Sequence, residues 1–239
     1  MATLPERTLE AGTALLALGV PLAFGTRLAD AVVIPKSAVF LAGSSLVLAA
    51  WWTGAARGLW PLLHRGKLAW LGGALGAWSA LTALLGDGGV LARGPALEHL
   101  TGALVLQAWV ACGSPERWRR WWTWWMVSGC VVVLYAWLQR LGLDPFAWNL
   151  PHLSRERTIS TLGNPNYLAL FLVGWLPVAL AWLTRMEGAK RAAGFLGWAL
   201  AWTAMVLTTT RGAWIAFAAG CLAWAVGGAL TAAIRRPAM

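Results

Sequence analysis

Residues 165–184 read PNYLALFLVGWLPVALAWLT, which is 20 residues without one Asp, Glu, Lys or Arg. A helix of about 20 predominantly apolar residues is long enough to cross the hydrocarbon core of a bilayer, which is roughly 30 Å thick. An uncharged stretch of this length is typical of a membrane span. The segment therefore predicts a transmembrane helix.

Similar uncharged stretches follow one another along the whole chain. Counting this segment, there are eight, at 11–26, 37–56, 68–86, 99–115, 121–139, 165–184, 192–210 and 212–234. Outer-membrane barrels instead show alternating segments of about 10 residues. We therefore predict an all-α, polytopic integral-membrane helix bundle with about eight transmembrane helices, forming a single transmembrane domain over residues 1–239.

The composition agrees with a membrane protein. Hydrophobic residues make up 59% of the chain and charged residues 12%, whereas soluble domains carry about 25% charged residues. The net charge of +10 is spread over every loop between the predicted spans, as in proteins that face anionic lipids. We expect membrane lipids as partners and no nucleic acid. The three Cys lack CxxC spacing, so no metal site is predicted.

The distribution of Lys and Arg predicts the orientation. The two termini and the loops after the second, fourth and sixth spans hold 12 of these residues, and the opposite side holds 7. Cytoplasmic loops carry the excess of positive charge. Both termini are therefore expected in the cytoplasm, and the connection 141–162 and Arg211 on the outer side.

Polar residues concentrate before the sixth span. All three Asn of the chain, Asn149, Asn164 and Asn166, fall within 18 residues. Gly163 permits a turn with positive φ, Asn164 is a favoured N-cap, and Pro165 suits the first position of a helix. The sequence therefore predicts that a helix begins at Pro165 on the outer face.

Two arginines lie beside predicted helix starts on that face. Arg157 precedes the sixth span, and Arg211 opens the eighth after a short Thr208–Thr210 connection. Helix N-termini attract anions, and a guanidinium matches phosphate oxygens bidentately. Arg157 and Arg211 are thus candidates for a pyrophosphate site. The alternative is that both are interfacial anchors whose heads reach toward water.

A longer pattern carries a family resemblance. It consists of Tyr135, Leu138-Gln139, Gly142, Asp144-Pro145, Trp148, Arg157, Thr161-Leu162-Gly163-Asn164-Pro165-Asn166-Tyr167-Leu168-Ala169 and Pro177, followed by Thr210-Arg211-Gly212-Ala213-Trp214. This pattern resembles the O-antigen ligase and O-antigen polymerase superfamily. Lys36, at the start of the second span, and Arg93-Gly94, between the third and fourth, fit it more loosely.

The resemblance implies an integral-membrane glycan transferase of the GT-C type in the bacterial inner membrane. Such enzymes move a glycan from an undecaprenyl-pyrophosphate carrier to an acceptor hydroxyl of a glycolipid, another glycan or a protein on the periplasmic side. By resemblance, Arg157 and Arg211 hold the pyrophosphate. Four residues are expected to shape the site: Gln139, Gly163, Asn164 and Asn166. Neither a metal nor another cofactor is implied.

One family feature has no counterpart here. Family members carry an acceptor-assisting histidine in a large later outer loop, and none of His64, His99 or His152 matches it. The catalytic residue is therefore unassigned, and we expect the chain to correspond to the N-terminal part of the family fold. Two other functions remain open: an anion (bicarbonate) transport-related protein, and an inactive or truncated membrane subunit.

Overall fold

The structure is a computed structural model that describes residues 2–25, 32–62, 66–85, 89–146, 148 and 157–234. In these ranges all regular secondary structure is helical, which confirms the all-α prediction. The helices are α1 (Leu4–Ala14), α2 (Val20–Leu22), α3 (Val33–Ala56), α4 (Lys67–Leu85), α5 (Gly89–Cys112), α6 (Pro115–Arg140), α7 (Pro165–Leu183), α8 (Gly188–Leu207) and α9 (Arg211–Ile234). A π-helical turn, Leu15–Gly19, joins α1 to α2, and a 3-10 turn, Ser160–Leu162, precedes α7.

Three of the described helices are long and apolar enough to cross a membrane: α3, α6 and α7. The other helices overlap the remaining predicted spans, and the first of these spans corresponds to α1, the π-helical turn and α2. The count of eight membrane crossings and the orientation of the chain remain predictions.

Several helices begin earlier than the uncharged stretches do. The helix α5 starts at Gly89, so Arg93 and Gly94 lie within it, and their predicted position between two helices is wrong. Likewise α1 starts at Leu4, ahead of Glu6 and Glu10. The physical reason is that the absence of charge marks the hydrocarbon core, whereas backbone hydrogen bonding continues a helix beyond it.

The chain divides into two compact units. The first comprises Met1–Val20 and Pro35–Trp125, and the second comprises Pro21–Ile34 and Met126–Met239.

In the first unit, ion pairs attach α1 to the start of α6. Glu6 pairs with Arg117, and Glu10 pairs with Arg120 at 2.6 Å. The indole Nε1 of Trp121 also donates to Glu10 at 3.1 Å. Hydrogen bonds from Thr3 and the nearby Arg117 guanidinium lower the pKa of Glu6. These contacts lie at the end of the unit that the charge distribution assigns to the cytoplasm.

Small residues let α4 and α5 approach closely in the same unit. A Cβ at Gly72 would lie 2.7 Å from Leu106, and one at Gly76 would lie 2.8 Å from Ala103. Such small-xxx-small spacing is typical of helix contacts in membranes, where close backbone packing replaces the hydrophobic effect.

In the second unit, α7 has a fully buried leucine face. Leu168, Leu172 and Leu176 recur every four residues on one face and are fully buried. Gly129 of α6 makes room for the Trp175 indole, because a Cβ at this glycine would overlap the ring. The helix also contacts α8 and α9. This packing holds the first turn of α7 beside the start of α9.

Candidate functional site

The start of α7 has the predicted geometry. Gly163 adopts φ +64° in the left-handed region. Asn164 is extended, and its Oδ1 accepts a hydrogen bond from the backbone N–H of Asn166 at 2.8 Å. Pro165 is the first helical residue. The predictions for the cap, the turn and the helix start are therefore confirmed.

Replacing Asn164 by Ala is expected to destabilise the protein by about 0.5–2 kcal/mol, because the first turn of α7 then loses its side-chain cap. The thermal midpoint in detergent measures the change. Asn164→Ser, which retains a capping oxygen, is the matched control. Equal midpoints for Asn164→Ala and the unmodified chain would contradict a stabilising role for the cap.

The turn before α7 is held in an unusual backbone conformation. Ser160 has φ +52° although it is not a glycine, and it is completely buried. Its N–H donates to Gln139 Oε1 at 2.7 Å, and its hydroxyl donates to the Val132 carbonyl at 2.7 Å. The neighbouring Thr161 hydroxyl donates to the Pro21 carbonyl at 2.8 Å. These bonds hold the segment that leads from Arg157 into α7.

Gln139 connects this turn to a carboxylate. Its Nε2 donates to Asp144 at 2.8 Å while its Oε1 accepts from Ser160. Asp144 also accepts from the Tyr135 hydroxyl at 2.6 Å and from the Trp148 indole at 3.0 Å. The side-chain amide of Gln139 thus links the Asp144 carboxylate to the turn before α7. The sequence predicted a site-shaping role for Gln139 but did not identify these partners.

Arg157 lies where the turn, α7 and the α8–α9 connection meet. Its Nε donates to the Thr208 carbonyl at 2.8 Å. Its Nη2 lies 3.2 Å from both Asn166 Oδ1 and Thr210 Oγ1. The Thr210 hydroxyl donates in turn to Asn166 Oδ1 at 3.1 Å. This cluster of Arg157, Asn166, Thr208 and Thr210, here termed the arginine cluster, joins residues that are up to 53 positions apart.

The second predicted arginine adjoins the arginine cluster. Arg211 directly follows Thr210, begins α9 and has an exposed side chain. Consecutive Cα atoms are about 3.8 Å apart, so the backbone of Arg211 starts next to a residue that Arg157 contacts. The structure therefore brings Arg157, Asn166 and the start of α9 together. Binding of an anion by these residues remains a prediction.

Strain and an unsatisfied hydroxyl distinguish this region. Besides Ser160, Thr209 has a positive φ, +55°, in the connection before α9. A positive φ in a β-branched residue is rare, and such strain costs about 1–3 kcal/mol and tends to cluster at functional sites. The buried Thr158 hydroxyl, next to Arg157, has no hydrogen-bond partner among the described residues. Sequence reasoning missed both features, since neither has a sequence motif.

Several predicted polar residues lie outside the described part of the chain. They are Asn149, His152 and Arg155, and the same holds for the side chain of Arg93. Within the part that is described, no three His, Cys, Asp or Glu residues are grouped as a metal site requires.

Comparison of the chain with protein-family models, with curated proteins and with solved structures finds no match. We therefore base the proposed function of the chain on the geometry of the second unit.

Proposed function

We propose that the chain is a membrane glycan transferase of the O-antigen ligase or polymerase type, located in the bacterial inner membrane as a multi-pass protein. The donor is a glycan on an undecaprenyl-pyrophosphate carrier, and the acceptor is a hydroxyl of a glycolipid, glycan or protein on the periplasmic side. In this proposal, Arg157 and Arg211 bind the donor diphosphate. The proposal assigns donor binding, and not activation of the acceptor, to the described residues.

The observation that carries the proposal is the positive charge at the arginine cluster. Among the described residues, Arg157 donates to a carbonyl, an amide and a hydroxyl, which are neutral groups. Neither Arg157 nor Arg211 forms an ion pair within the described ranges. An arginine whose charge is not compensated by a carboxylate attracts phosphate strongly.

The donors of the guanidinium also suit a phosphate. A guanidinium has five N–H donors, and the Nη1 group of Arg157 has no partner among the described residues. These hydrogen bonds hold the Arg157 guanidinium in place, so little side-chain entropy is lost when an anion binds. The positive end of the α9 dipole, at Arg211, adds to the attraction.

Binding of the donor diphosphate tests the proposal directly. The full chain in detergent is titrated with undecaprenyl diphosphate, undecaprenyl monophosphate and bicarbonate, and binding is followed by the quenching of tryptophan fluorescence. Saturable binding with a preference for the diphosphate is expected, because two phosphates can engage two arginines. Equal affinity for both prenyl phosphates would contradict the diphosphate site. Saturable binding of bicarbonate alone would favour the transport-related alternative.

The proposed function requires that the arginine cluster face the outer side. In a variant without the native cysteines, Leu150→Cys is expected to react with a membrane-impermeant maleimide in intact spheroplasts, whereas Ala189→Cys reacts only after lysis. The reason is the excess of Lys and Arg on the side that holds residue 189. Labelling of Ala189→Cys but not Leu150→Cys before lysis would reverse the orientation and contradict a periplasmic donor site.

A further inference from the structure

The first unit contains a groove of about 650 Å³ between α3, α4 and α5. Ligand pockets commonly measure about 300–1,000 Å³. Four polar residues lie along it: Lys36, Ser37, Glu98 and His99. None of them belongs to the arginine cluster, and the groove is made by the first unit alone.

The polar part of the groove contains opposite charges. The Ser37 hydroxyl donates to the Glu98 carboxylate at 3.2 Å, which brings the start of α3 next to α5. One residue before Ser37, the Lys36 ammonium donates to the Val20 carbonyl at 2.7 Å. Lys36 and Glu98 each immediately precede an uncharged stretch, so the sequence places both at the outer boundary of the membrane. A cation and a carboxylate therefore line the same groove at the level of lipid headgroups.

The remaining walls are apolar and leave open space. Phe40, Leu75 and Leu106 contribute hydrocarbon surface. Gly102 of α5 also lines the groove, and a Cβ there would meet no atom within 4 Å. The groove thus has room for a flexible hydrocarbon chain next to its charged residues.

We propose that this groove binds one zwitterionic phospholipid of the phosphatidylethanolamine type. The lipid ammonium pairs with Glu98, the lipid phosphate with Lys36, and one acyl chain lies along the apolar walls. The proposal concerns a site in the first unit and does not depend on glycan transfer.

Charge complementarity selects this lipid over an anionic one. A headgroup that carries only negative charge would gain from Lys36 but would be repelled by Glu98. A primary ammonium is also a strong hydrogen-bond donor to a carboxylate, with three N–H groups. Phosphatidylcholine has the same net charge but no N–H donor, so it is expected to bind less tightly than phosphatidylethanolamine.

Native mass spectrometry of the full chain in detergent provides the test. The protein is mixed with equimolar palmitoyl-oleoyl phosphatidylethanolamine, phosphatidylglycerol and phosphatidylcholine, and the bound lipids are counted. One retained phosphatidylethanolamine is expected. The variant Glu98→Gln keeps an oxygen for Ser37 but loses the charge. We expect it to weaken phosphatidylethanolamine binding about tenfold, which is typical for the loss of a hydrogen bond to a charged group.

A pair of glycine variants tests where the acyl chain lies. Gly102→Leu fills the groove and is expected to lower the retained phosphatidylethanolamine about tenfold or more. Gly73→Leu is the matched control, because a Cβ at this exposed α4 glycine also meets no atom within 4 Å but Gly73 does not line the groove. Retention of phosphatidylglycerol at the level of phosphatidylethanolamine would overturn the proposal. Unchanged binding in both Glu98→Gln and Gly102→Leu would also overturn it.

Discussion

Replacing Arg211 by Lys is expected to weaken the binding of undecaprenyl diphosphate by about tenfold or more and to leave the thermal midpoint unchanged. Lys keeps the charge but lacks the planar fork that engages two phosphate oxygens together. The loss of one charge-assisted hydrogen bond corresponds to about 1.5–3 kcal/mol, or about 10–100-fold in affinity. Stability is expected to hold because the Arg211 side chain is exposed and has no hydrogen-bond partner among the described residues.

Arg157→Lys is expected to differ from Arg211→Lys in its effect on stability. Both should weaken diphosphate binding, but Arg157→Lys also removes the bond from Nε to the Thr208 carbonyl and changes the contacts to Asn166 and Thr210. Its thermal midpoint should therefore fall as well. The two variants together separate ligand binding from the stabilisation of the arginine cluster.

Arg140→Lys is the matched control, since it changes another arginine assigned to the outer side. It should leave the affinity for undecaprenyl diphosphate unchanged. Equal affinities in the unmodified chain, Arg157→Lys, Arg211→Lys and the control would contradict the diphosphate site at these two arginines.

Gly163→Ala is expected to destabilise the second unit by about 2–5 kcal/mol. The left-handed backbone costs a residue with a Cβ about 1–2 kcal/mol, and overpacking adds about 1–3 kcal/mol. The overlap would occur with the Val32 side chain, which occupies the space where the new Cβ would lie. The thermal midpoint in detergent measures the loss.

Two further variants separate the cost of the steric overlap with Val32 from the cost of the left-handed backbone. Gly142 also has a positive φ, +74°, but a Cβ there meets no atom within 4 Å. Gly142→Ala should therefore cost only about 1–2 kcal/mol. Adding Val32→Ala to Gly163→Ala removes the atoms that the new Cβ would overlap and should recover part of the stability. Equal losses at Gly163 and Gly142, with no recovery in the double variant, would contradict this explanation.

The sequence predicted the features that depend on residues adjacent to one another in the chain. The cap at Asn164, the turn at Gly163 and the start of α7 at Pro165 follow from the stereochemistry of adjacent residues. The positions of the helices follow from the length of apolar chain that a bilayer requires. Helix ends beyond the uncharged stretches, as at Gly89, could not be predicted because charge marks the membrane boundary and not the end of hydrogen bonding.

By itself, therefore, the sequence determined the helical class, the approximate positions of the helices and the local geometry at Asn164. Only the tertiary structure determined which groups surround Arg157, because Thr208 and Thr210 are 51 and 53 residues away along the chain. It also determined that Gln139 bridges Asp144 and Ser160. Capping and turn formation depend on bonds within a few residues. The contacts of Arg157 with Thr208 and Thr210 instead form only when α7 packs against α8 and α9, and the bond from Ser160 to Gln139 forms only when the turn before α7 meets α6. No local pattern encodes that packing.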